Sequence, residues 1–212
     1  MSIKPAFYKR AFCYYELKKF AKARVDVKRA LKVPQTDNGY NKIMSDSYWL
    51  YSLIVSHKAN SMKALQLIKN ATNYNRHSSS LYSTIGYKEV DLGLYDSAMV
   101  DLNHAIELNK FNAWAYSNRA WAYLKKNLLD SARKDVNYSI ELDKTNLFAY
   151  KHSALIYIAL HDYESACLEL DKAQKLEYSD NMVIRAPKEI RQLINKYCKA
   201  SDSKRNKAKE EK

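Results

Sequence analysis

Aromatic, small and large apolar residues recur at steps of four and three residues along most of this chain, with polar residues between them. Phe7, Tyr48, Tyr82, Tyr116 and Tyr150 are each followed four residues later by a small residue, Ala11, Ser52, Gly86, Ala120 and Ala154. Three residues further on stand Tyr14, Val55, Tyr123 and Tyr157, while Glu89 puts a carboxylate in the equivalent place. Steps of three, four and seven set side chains on one face of an α-helix, and the small residue lets a second helix come close. That second helix follows in each case: Ala98, Leu102 and Ala105 form its face in one instance, Ala166, Leu170 and Ala173 in another. A short turn lies between the two, marked by Gly93 and by the aromatic or leucine beyond it (Phe20, Tyr95, Leu129, Tyr163). Each pair predicts a helical hairpin.

The hairpins repeat at a fixed interval. Ala64, Ala98, Ala132 and Ala166 are 34 residues apart, and so are Ala71, Ala105, Ser139 and Ala173. In register, the units span 4–37, 45–78, 79–112, 113–146 and 147–180, with 38–44 as an insertion. A hairpin cannot bury its apolar face alone, so neighbours must stack, and the reading is an all-α solenoid.

The fragment Ala115-Tyr116-Ser117-Asn118-Arg119-Ala120-Trp121-Ala122-Tyr123, with the period and the aromatic/small pattern, resembles the tetratricopeptide repeat family over residues 4–180. The resemblance implies a right-handed superhelix of five hairpins closed by a capping helix. It departs from the family where a proline often ends the second helix: Arg76, Lys110, Lys144 and Tyr178 stand there. In the family the first helices line a concave groove. Carried over by position, the groove set is Tyr8, Lys9, Phe12, Tyr15 and Glu16; Trp49, Leu50, Leu53 and His57; Ser83, Thr84, Tyr87 and Asp91; Trp114, Asn118, Trp121 and Lys125; and Phe148, Lys151, His152 and Leu155. All three tryptophans fall in it. Some members hold a peptide carboxylate with paired lysines, asparagines and an arginine. Only Asn118 matches that clamp here, because Ser83, Tyr87, Phe148 and His152 occupy the other places.

Beyond the repeats, Ile190, Leu193, Ile194 and Tyr197 make one apolar stripe after Pro187, as expected of a capping helix over 183–199. No equivalent cap precedes Lys4, and the expectation is that the first helix is exposed, packs on another copy in self-association through the uncapped hairpin, or belongs to a segment of a longer chain. Residues 200–212 have almost nothing apolar and are expected to form a disordered basic tail. No apolar run is long enough to span a membrane and no signal-peptide core is seen, so a cytoplasmic location is expected. Cys13, Cys167 and Cys198 lie far apart and are read as free thiols.

Net charge is +13, concentrated at the start: residues 1–37 hold ten Lys or Arg against three acidic residues. Lys18, Lys19, Lys22, Arg24, Lys28, Arg29 and Lys32 crowd the second helix and its turn. Isolated glycines, scattered histidines and the absence of paired-cysteine spacing leave no phosphate loop, metal site or catalytic set in view. No cofactor and no enzymatic activity are expected. The leading expectation is a protein-interaction scaffold that takes a peptide or helix of another protein on its aromatic groove. The alternative is nucleic acid or another anionic surface, bound through the basic first repeat and tail.

Overall fold

The computed structural model describes residues 3–34, 39–56, 60–179 and 188–198. Among these there are helices and no strands. The elements are α1 (Ile3–Glu16), α2 (Phe20–Lys32), α3 (Tyr40–Ser56), α4 (Ser61–Thr72), α5 (Ser79–Asp91), α6 (Tyr95–Leu108), α7 (Ala113–Lys125), α8 (Leu129–Leu142), α9 (Leu147–Ala159), α10 (Tyr163–Ser179) and α11 (Lys188–Leu193), which runs into a π-helical turn, Ile194–Cys198. They form two compact units, 1–110 and 111–212. The first holds three hairpins. The second holds two hairpins and α11.

The same local chemistry recurs among the described hairpins. Ser78, Asn112 and Asn146 are 34 residues apart, and each side chain accepts the backbone N–H three residues on, opening α5, α7 and α9. Such caps satisfy one of the orphan donors of a helix start and are worth about 1 kcal/mol each. Turns repeat as faithfully. Lys18, Gly93, Asn127 and His161 all have φ between 56° and 78°, and the residue after each donates its N–H back to the carbonyl of Tyr14, Glu89, Tyr123 or Tyr157 at 2.8–2.9 Å. A left-handed residue followed by that long return bond closes a helix end and satisfies its last carbonyls. Gly93 adopts the conformation without a Cβ penalty, whereas the other three carry side chains through it.

Small residues at the crossing points are fully buried: Ala11 and Ala23 in the first hairpin, Ala120 and Ala132 in the fourth, Ala154 and Ala166 in the fifth. At Gly86 the helices approach so closely that a Cβ there would overlap the Leu102 side chain. Around these crossings, Val27, Leu50 and Ile54 fill the core of the first two hairpins. Ile190 of α11 is buried with Leu147, Leu170 and Ala173, so α11 covers the outer face of the fifth hairpin. Burial of one such isoleucine is worth about 2 kcal/mol.

The sequence expectation of three free thiols is corrected here. Cys167 of α10 and Cys198 of the π turn form a disulfide with Cα atoms 5.6 Å apart, and Cys13 alone is a free, exposed thiol. Packing of α11 on α10 brings together two cysteines separated by 31 residues. His57, Pro187 and the tail lie outside the described residues.

Candidate functional site

In the second unit, α7 and α9 present their expected groove residues to one another. Trp114 of α7 meets Phe148 of α9 with ring centroids 5.5 Å apart. Further along, two turns on α7 and one on α9, Trp121 stacks on His152 at 5.3 Å and 13° between planes. Lys151 lies among these rings, its Nζ 5.2 Å from the Phe148 centroid and 5.5 Å from that of Trp121. A cation over two aromatic faces is held by their quadrupoles, and the remaining charge is met by Glu189 of α11 at 3.1 Å. Lys151 is only 3% exposed as a result. Beside it, a pocket of about 260 Å³ opens between α9 and α11, lined by Lys151, Leu155, Glu189, Gln192, Leu193 and Lys196.

Five residues expected on the groove, His152, Asn118, Lys151, Leu50 and Ser83, are buried in the fold. His152 is fully buried; its Nδ1 lies 2.9 Å from Ser117 Oγ and 3.0 Å from the Ser117 carbonyl. Burial, with Lys151 and Lys125 nearby, holds its pKa well below the ordinary histidine value, so the ring is neutral and does not titrate near neutrality as a groove histidine would. Asn118 is buried in the same layer, and Lys151 is enclosed by α11. Leu50 is fully buried against Ala23 and Val27, because small residues on α2 leave a hollow that a leucine from α3 fills. These positions face the neighbouring helix, and the rings beside them take up the contact.

What stays accessible is a subset. Trp114 is 42% exposed and Phe12 38%; Lys9 and Lys125 are exposed as well. Tyr8, Trp49, Tyr87, Trp121 and Phe148 are half-buried. In the first unit Tyr8 stands 6.5 Å from Phe12 on α1. Burial and then the charge of Asp46 push the Tyr8 phenol upward. Trp49 packs on the core of the first two hairpins and also on that of α4 and α5. The Lys88 ammonium sits 5.3 Å from the Tyr87 centroid.

One polar cluster is not foreseen by the aromatic pattern. Glu89 is fully buried in the first unit; its Oε1 accepts from Lys69 Nζ at 2.6 Å and from Ser97 Oγ at 2.8 Å, while Oε2 has no partner. Asp101 of α6 hydrogen-bonds the same carboxyl, and burial, followed by the Glu89 charge, pushes its pKa up to about 6. The signal was present in the sequence as the carboxylate standing where other units place a large residue. No group of side chains suited to a metal ion occurs among the described residues. None of their helices is long and apolar enough to cross a membrane.

Hairpins joined by the same left-handed turn and opened by the same cap define a helical-repeat protein. Residues 102–134 match the family model of the tetratricopeptide repeat. A thermophilic TPR protein of Thermus thermophilus is 18% identical over 93% of this chain and 98% of that one, with a TM-score of 0.69. PilW, a widely conserved type IV pilus biogenesis factor, is 15% identical over 83% and 78%, at 0.68. YrrB, a TPR protein with an unusual peptide-binding site, is 20% identical over 83% and 87%, at 0.55. No curated protein sequence matches the chain. The fold is that of a tetratricopeptide repeat protein.

Proposed function

We propose that this protein is an interaction scaffold whose first helices take a peptide or helix of a partner protein. Each unit contributes its own ring face: Tyr8, Phe12, Trp49 and Tyr87 in the first, Trp114 and Phe148 in the second. The observation that carries the reading is Trp114, which keeps 42% of its surface open although Phe148 lies against it. A large ring fixed by a neighbour and open to solvent suits an anchor, because little side-chain freedom is lost on binding. Lys125, exposed one turn beyond Trp121, supplies a charge for an acidic group on the guest. A peptide-binding site in YrrB, which shares the fold, is consistent with this use. Trp121 and Lys151 support the face from beneath, and Asn118 and His152 hold the helices that carry it.

Selection of peptides from a random library on the intact protein tests the reading. Peptides with apolar or aromatic anchors are expected, and Trp114→Ala should weaken them by about 2 kcal/mol, roughly thirtyfold, while leaving the unfolding midpoint nearly unchanged. Selected peptides that bind wild type and Trp114→Ala equally would remove the ring face from the proposal.

A further inference from the structure

The open face of α2 carries cations and no acid. Lys22, Arg24, Lys28, Arg29 and Lys32 are exposed, and Lys18 and Lys19 continue the run into the turn. Asp26, the one carboxylate on this helix, is buried and taken by Arg10 at 2.5 and 2.8 Å and by Arg29 at 3.4 Å. The fold does not demand this. In the same place of the third hairpin, α6 carries Asp96, Asp101 and Glu107 and no lysine or arginine.

What accompanies the cations narrows the partner. The exposed residues of α2 besides them are Ala21 and Val25, the latter 49% exposed. No amide, hydroxyl or ring is on that face to read or stack a base. The nearest rings are occupied: Lys22 Nζ lies 5.8 Å from the Tyr14 centroid and Lys28 Nζ 6.0 Å from that of Tyr51. From Lys22 to Lys32 the helix is about 15 Å long, and apart from Arg29, which lies against Asp26 and over the Phe7 ring, its cations stand on the exposed side where an extended negative surface can meet several together. Long stems then let the ammonium groups stay among headgroups while Val25 faces the acyl boundary.

We propose that the outer face of α2 docks on an anionic lipid bilayer. This surface is separate from the ring face, and the two can fail independently. The test is co-sedimentation of the full chain with vesicles of phosphatidylcholine containing about 30% phosphatidylserine, beside pure phosphatidylcholine vesicles and a duplex oligonucleotide. Binding to the anionic vesicles alone is expected, falling steeply between about 0.1 and 0.5 M salt. Lys22→Gln, Lys28→Gln and Lys32→Gln together should lower partition about 100-fold, each cation contributing roughly fivefold. These side chains are exposed, so helicity by circular dichroism should be unchanged. A second variant with glutamine at the six Lys and Arg positions of 199–212 should retain most binding. Absence of vesicle binding at low salt, preference for the duplex, or loss only in the tail variant would overturn the proposal.

Discussion

The first, third and fourth hairpins carry an aspartate at the same point of the second helix, and one residue of the first helix decides what becomes of it. Asp26 faces Arg10 and Asp135 faces Arg119, each sixteen residues earlier. The third hairpin has Ile85 where those arginines stand, buried among Leu65, Ile68 and Leu81. Arg10 and Arg119 both close on their carboxylates with two bonds, at 2.5 and 2.8 Å and at 2.6 and 2.9 Å. Such forked pairs favour the ionised acid, and the hydrogen bonds from Arg10 hold the Asp26 pKa below the usual carboxylate range. Asp101, lacking a guanidinium, turns to the buried Glu89 and moves the opposite way, to about 6. One exchange in the repeat converts a fixed ion pair into a site that binds a proton. The hairpin geometry survives both arrangements because each buried acid finds a donor.

Removing a guanidinium breaks the comparison most severely. Asp135 keeps only 9% of its side chain exposed, so Arg119→Met should leave a buried charge without its partner and cost about 3 kcal/mol in urea unfolding. The double variant Arg119→Met with Asp135→Leu should recover much of that loss, since replacing both members removes the stranded charge. Equal destabilisation by the single and double variants would show that the pair is not coupled. Arg10→Met is expected to lower the midpoint less than Arg119→Met, because Arg29 already lies 3.4 Å from Asp26 and Arg10 is half-exposed. A midpoint as low as that of Arg119→Met would mean that Arg29 does not take over.

These clamps were visible in principle. Arginine and aspartate sixteen residues apart recur in the first and fourth units, but the aromatic/small pattern dominates the same helices and hides them. The hairpin repeat itself was legible because close helix approach admits only small side chains, so Ala11, Gly86 and Ala120 report geometry directly. The turns were legible from the aromatic or leucine beyond them, but their left-handed residue only at Gly93: Lys18, Asn127 and His161 take the same conformation without a residue type that announces it. For the candidate site, the pattern picked out a face and not its openness. Trp114 and Trp121 lie two turns apart on the same helix and in the same pattern, yet Trp121 is stacked on a histidine and covered by a lysine that α11 holds in place. That outcome depends on a helix nearly forty residues beyond Lys151. The disulfide was hidden for the same reason, since spacing alone does not say that α11 returns to α10.

The subtlest break concerns the proton itself. Asp101 titrates near 6 in the fold against 3.8 in the open chain, so the folded state holds its proton more tightly. Its contribution is therefore fully present below about pH 3.8 and is lost as pH rises through about 6, opposite in sign to that of Asp26, which is lost as pH falls. When protonated, Asp101 supplies a further donor to the Glu89 carboxyl. Because the site is half-exposed, solvent screening reduces the effect to about 1 kcal/mol. Wild type should thus lose about that much between pH 3.8 and pH 7.5, measured as the component of the unfolding free energy that Asp101→Asn abolishes. An asparagine amide donates at every pH, so the variant should be the more stable form at pH 7.5. Lys69 and His104 also face this cluster and act on Asp101 electrostatically. The comparison is therefore made in a His104→Gln background. A slope that persists after Asp101→Asn in that background would place the proton elsewhere and leave the third hairpin no different from the first.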